Sequence, residues 1–147
     1  MTKFFLAGII QGSIRGREIH SQDYRRHLKE VLLGHVPDAE VYCPIEHHPN
    51  SLDYDDDRAR SVFHEHLAMA ADADVLVAFL PEASMGTAVE MWEAHRRGRI
   101  VLAVTPLAAN WAVKFLSTRV FGDLASFEEF VTTGELERLL ASHPEKT

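Results

Sequence analysis

Val75-Leu76-Val77-Ala78-Phe79-Leu80, closed by Pro81 and followed by Glu82-Ala83-Ser84-Met85-Gly86-Thr87-Ala88-Val89-Glu90, decides the fold. An unbroken apolar run of strand length reads as a β-strand buried on both faces, and the proline ends it because it cannot donate to a sheet ladder. Ala88, Met91 and Trp92 then recur at helical spacing and carry a helix from Thr87 to Arg97, stopped at Gly98. A strand without polar alternation that leads straight into a helix is half of a βαβ unit, the building block of a parallel sheet.

The same alternation extends in both directions. Downstream, Ile100–Thr105 is the next strand, Asn110–Leu116 a short helix and Arg119–Phe121 a brief strand. Ser126 and Glu129 stand at capping-box spacing and open a last helix through Leu140. Upstream, Asp55–Ala71 reads as a helix, Ala39–Tyr42 as a strand, and Asp23–Leu33 as a helix with Tyr24, Leu28, Val31 and Leu32 on one face and Gly34 as its stop. Lys3–Ile10 is the first strand, and Pro44–Asp57 is the one long loop-like stretch. Five such units predict a single α/β domain over 1–147. It is a three-layer α/β/α sandwich whose five parallel strands run in the flavodoxin- or Rossmann-like order 2-1-3-4-5. Ligands of such sheets bind where the order reverses, outside the carboxyl ends of strands one and three.

Composition narrows the partners. The 147 residues are 46% hydrophobic, enough for one core, and Cys43 is the only cysteine, so no internal disulfide forms. It reads as a buried structural thiol with no basic neighbour in sequence. No run of 18 apolar residues and no basic-then-apolar leader is present, which predicts a cytoplasmic protein with no membrane partner. The formal charge of -7 opposes a phosphate backbone, so nucleic acid is a poor partner. A small anion held by one arginine and a few backbone amides is compatible with it.

The two loops at the switch point carry the candidate site. In Gln11-Gly12-Ser13-Ile14-Arg15-Gly16, Gly12 allows close backbone approach, Ser13 offers a hydroxyl, and Arg15 can grip phosphate oxygens in bidentate fashion. An ordinary strand-to-helix turn with a solvated arginine fits the same spacing, and neither a Walker loop nor a dinucleotide fingerprint is present. In the second loop, Gly86 and Thr87 open a helix whose positive end is expected to lower the pKa of Glu90 and keep it ionised towards the pocket. The plainer alternative is a solvated stripe of Glu90, Glu93 and Arg97, with Glu93 and Arg97 as an i,i+4 pair. Nine histidines invite a metal, but His64 and His66 lie about 200° apart on a helix and no three ligands show a recognised spacing, so neither metal nor cofactor is expected. Trp92, Trp111, Phe115 and Leu116 read as core or subunit interface.

Phe4-Phe5-Leu6-Ala7-Gly8, Ala73-Asp74-Val75-Leu76-Val77-Ala78 and Ser84-Met85-Gly86-Thr87-Ala88-Val89-Glu90 together resemble the nucleoside 2-deoxyribosyltransferase superfamily. Gly12-Ser13-Ile14-Arg15-Gly16 is similar to the phosphate loop of its 2'-deoxynucleoside 5'-monophosphate N-glycosidases. The resemblance implies a nucleoside or nucleotide substrate, with Glu90 attacking the anomeric carbon, Ser84 near the sugar or phosphate, and Ser13 and Arg15 on the 5'-phosphate. It also implies that Ser117, from a neighbouring subunit, completes that phosphate site in a homodimer or higher oligomer. Two positions depart from the pattern. The aspartate of the helix before strand three corresponds here to His66, and the tyrosine near the end of strand one to Phe5 or Ile9. His66, or one of Asp55, Asp56 and Asp57, would then protonate the departing base. With both landmarks absent, a nucleotide sensor of the same fold that does not turn its ligand over is the alternative to an N-glycosidase or transferase.

Overall fold

The computed structural model describes residues 1–8, 10 and 21–143. Its five-stranded sheet is parallel throughout and runs β2-β1-β3-β4-β5, with β1 at Thr2–Gly8, β2 at Ala39–Tyr42, β3 at Val75–Phe79, β4 at Ile100–Val104 and β5 at Arg119–Phe121. The order and direction are those expected from the sequence. Adjacent side chains of the three central strands point to opposite faces, as the strand repeat of two requires. Phe4, Leu6, Val75, Val77, Ile100 and Leu102 enter one core; Phe5, Ala7, Leu76, Ala78, Val101 and Ala103 enter the other.

Helices cover both cores, which makes the three layers. On the first face, α1 (Asp23–His35) packs Leu28, Val31 and Leu32, α6 (Leu124–Thr132) packs Phe127, Phe130 and Val131, and α7 (Glu135–Ser142) packs Leu136. On the second face, α3 (Asp56–Asp72), α4 (Met85–Arg96) and α5 (Trp111–Leu116) contribute Ala70, Met91, Ala94 and Val113. The stripe of α4 that is buried is Thr87, Met91 and Ala94; Trp92, read from sequence as part of it, is 52% exposed.

Four local readings are corrected. The last helix is two, because Gly134 takes a left-handed conformation (φ 83°) that breaks the helical path between α6 and α7. Its N-cap is Asp123, whose carboxylate accepts from both the amide and the hydroxyl of Ser126, so Ser126 lies inside the first turn. The long loop is also partly regular, with α2 at Pro44–His47 and a 3-10 turn at Ser51–Asp53. Helix α1 runs past Gly34 to His35, whose ring bonds the Val31 carbonyl at 2.9 Å.

Candidate functional site

The carboxyl ends of β1 and β3 open into a cleft of about 360 Å³, at the switch point of the sheet. Gly8 and Ile10 line it from β1, His66 and Leu67 from α3, Ser51 and Leu52 from the 3-10 turn, and Ser84, Gly86, Thr87 and Glu90 from the start of α4. Four residues singled out from the sequence therefore meet in one place: His66, Ser84, Gly86 and Glu90. Gly12, Ser13 and Arg15 lie outside the described residues. Ser117 caps the end of α5 and does not line this cleft; its hydroxyl is buried, with no hydrogen-bond partner among the described residues.

Ser84 is the N-cap of α4, its Oγ accepting from the Thr87 amide at 3.3 Å. A Cβ added to Gly86 would meet nothing within 4 Å, so the missing side chain leaves the helix start open to a ligand. Thr87 is 1% exposed, yet its hydroxyl has no hydrogen-bond partner among the described residues, an uncommon state for a buried polar group. Glu93 pairs with Arg96 at 2.6 Å rather than with Arg97, and Glu90 stands apart from that pair on the cleft side.

Glu90 does not have the acidity expected from its place on the helix. Burial pushes its carboxyl up to about 8, against the opposing pull of the Arg25 guanidinium. The residue keeps some accessible surface, but protein surrounds the carboxyl on most sides. A helix end contributes only ~0.3–1 kcal/mol, less than one pH unit, whereas desolvation of a carboxylate can cost several units. Removal from water therefore outweighs the dipole.

His66 is shifted in the opposite sense. Burial lowers it below its ordinary 6.5, and His48, Arg25 and His47 add to the effect, while Glu65 opposes it. Its Nε2 lies 3.1 Å from the Tyr42 hydroxyl, and its ring packs edge-on against Phe5, Tyr42 and His48. His47 stacks on Tyr42, and His48 Nδ1 meets the Tyr54 hydroxyl at 2.8 Å. The long loop thus supplies an aromatic and imidazole wall behind His66. Two of the three aspartates at its end are occupied elsewhere: Asp55 caps α3 through the Arg58 amide, and Asp57 pairs with Arg60. Among the described residues no three His, Cys, Asp or Glu side chains converge as metal ligands.

Behind Gly8 lies a buried cation. Arg25 is 3% exposed and donates to the carbonyls of Leu6 (2.9 Å) and Gly8 (3.2 Å) and to the Gln22 side chain (2.7 Å). It also reaches Cys43, whose Sγ is 3.9 Å away, so the thiol has a basic neighbour that the sequence does not show. The Tyr24 ring packs directly against Gly8, where a Cβ would collide with its hydroxyl.

No family profile and no curated protein matches the sequence. Solved structures do. A 2-deoxyribosyltransferase from Bacillus psychrosaccharolyticus superposes with a TM-score of 0.64 at 19% identity, over 86% of this chain and 90% of that one. A conserved protein from Enterococcus faecalis V583 gives 0.64 at 20%, over 90% and 98%. The CMP N-glycosidase BcmB of Clostridium botulinum gives 0.52 at 14%, over 93% and 99%. The chain has the nucleoside 2-deoxyribosyltransferase-like fold.

Of the residues that line or back this cleft, the sequence reading had singled out Ser84, Gly86, Glu90 and His66, and had not singled out Arg25, Tyr24, Tyr42, His48 or Thr87 for it. One signal was available. Arg25 falls at i−3 from Leu28 and i−7 from Leu32, on the buried face of α1, where a charged side chain must have a partner.

Proposed function

We propose that this chain cleaves or transfers the N-glycosidic bond of a nucleoside 5'-monophosphate or nucleoside, with Glu90 as nucleophile. The observation that carries the reading is the convergence of Glu90, Ser84, Gly86 and His66 on one cleft at the switch point of a fold shared with a 2-deoxyribosyltransferase and an N-glycosidase. In the first step a Glu90 oxygen bonds the anomeric carbon as the bond to the base nitrogen breaks, and His66 gives the base its proton. In the second step water or a second base bonds the anomeric carbon as the bond to Glu90 breaks, giving its proton to His66 and returning the carboxylate. Ser84 and Gly86 hold the sugar or phosphate, and Gly12, Ser13 and Arg15 hold the 5'-phosphate. The reaction needs no cofactor.

Incubation with a panel of ribo- and deoxynucleosides and their monophosphates, with and without an acceptor base, tests this by chromatography of the released base. Release from at least one substrate is expected. Binding without release across the panel would leave the sensor reading, which the protonation states favour: a carboxyl that titrates near 8 is mostly neutral at pH 7.

The working unit is proposed to be a homodimer, and its site to be cytoplasmic; among the described residues no helix is long and apolar enough to cross a membrane. Phe63, Met85, Val89, Trp92, Trp111 and Phe115 stand exposed on the adjacent helices α3, α4 and α5, and Phe63 and Met85 also line the cleft. A second copy is the occupant that would cover this apolar face. Light scattering at tens of micromolar should give twice the chain mass, and Trp111→Glu combined with Phe115→Glu should give the chain mass. A monomeric parent protein that binds ligand fully contradicts the dimer.

A further inference from the structure

A guanidinium cannot shed its charge, and burying one without a carboxylate partner is costly unless the charge is used. The hydrogen bonds described for Arg25 end on two β1 carbonyls, the Gln22 side-chain amide and the Cys43 sulfur, and none of them on a carboxylate. Packing alone would be served by methionine or leucine at this buried position. The carbonyls it binds belong to Leu6 and Gly8, the last turn of backbone before the cleft, and Gly8 is itself part of the lining.

We propose that Arg25 is a positioning residue of the cleft, its guanidinium fixing the carboxyl end of β1 and supplying the positive charge against which Glu90 ionises. Among the described residues it lies against Tyr24 of α1 and Cys43 at the end of β2, and through the Gly8 carbonyl it borders the cleft that His66 and Glu90 line. The single charge acts on both working groups of the proposed reaction. A positive charge at the edge of the cleft favours the anion of Glu90 and disfavours the cation of His66. Tyr24, held off ionisation by burial, adds no competing anion below about pH 12.

The proposal rests on Glu90 as the working carboxylate, and its test is read on the carboxyl itself. Carbon-13 NMR of the Glu90 side chain gives its titration midpoint in the parent protein, in Arg25→Gln and in Arg25→Lys. Arg25→Gln should raise the midpoint by about one pH unit or more, and Arg25→Lys should bring it back most of the way. Equal midpoints in the parent and a folded Arg25→Gln overturn the proposal, as does an Arg25→Lys midpoint equal to that of Arg25→Gln. Should Arg25→Gln not fold, the parent protein decides: the Arg25 Nε–H resonance must shift with the same midpoint as Glu90, and a resonance unmoved across that titration overturns the proposal. Base release from the substrate panel is scored separately. Turnover with an Arg25-independent Glu90 sinks this inference alone, whereas an Arg25-dependent Glu90 without turnover sinks only the proposed reaction.

Discussion

Glu90→Gln should lower base release by at least about a thousandfold while the substrate still binds, because the amide keeps the size and hydrogen-bonding reach of the carboxyl but cannot form the bond to the anomeric carbon. The comparison is made by single-turnover kinetics with the substrate that the panel identifies, together with its dissociation constant by calorimetry. A variant that turns over at the parent rate removes the glycosyl-enzyme route. A variant that neither binds nor turns over moves Glu90 from chemistry to substrate holding. The same substitution has a signature in stability. A carboxyl raised from its ordinary 4.5 to about 8 stabilises the folded state fully below 4.5, and that contribution is lost as pH rises through 8, at ~1.4 kcal/mol for each unit. Glu90→Gln lacks this loss, so at pH 9 its urea midpoint should exceed that of the parent protein, with the difference shrinking towards pH 5.

The second large effect concerns the shape of the pH profile and its reversal in His66→Ala. Glu90 must be ionised and His66 protonated, yet Glu90 titrates near 8 and His66 below 6.5. The fraction of molecules in that reversed state is set by ten to the power of the difference of the two values, so it stays under roughly 3% at any pH. It is one of the two singly protonated forms of the pair, and kcat/KM follows their joint population. The parent profile should therefore rise as pH climbs through the His66 value, stay level, and fall above about 8. The low-pH limb belongs to His66 and the high-pH limb to Glu90, the opposite of a site with ordinary acidities. In His66→Ala only the ionisation of Glu90 remains, so the residual activity should rise through pH 8 where the parent activity falls. Residual activity that still falls there would assign the proton donation to Glu90 and the base role to His66.

The sheet was legible in the sequence because its information is local. An apolar run such as Val75–Leu80 is a strand between helices wherever it lies, and β2 and β5 are found at the residues expected, Ala39–Tyr42 and Arg119–Phe121. Helix ends were less legible: Asp and Ser are both good N-cap residues, and the structure uses Asp123, in extended backbone, with Ser126 as the donor to its carboxylate. The place of the site followed from strand order, which with the motif spacing also placed Ser84, Gly86 and Glu90 there, whereas His66 was indicated only by the resemblance.

The acidities were decided by tertiary structure alone. A helix start predicts a more acidic Glu90 from neighbours within one turn, but the desolvation that raises it comes from elements distant in sequence, and so does its counter-charge from Arg25, 65 residues away. His66 likewise takes its low value first from burial and then from the charge of His48, which the fold returns to it across the long loop. Periodicity and capping depend on residues a few positions apart, and a single sequence displays them. Burial and electrostatic coupling depend on distance in space, and for this cleft they exist only once the sheet has brought the ends of β1 and β3 together.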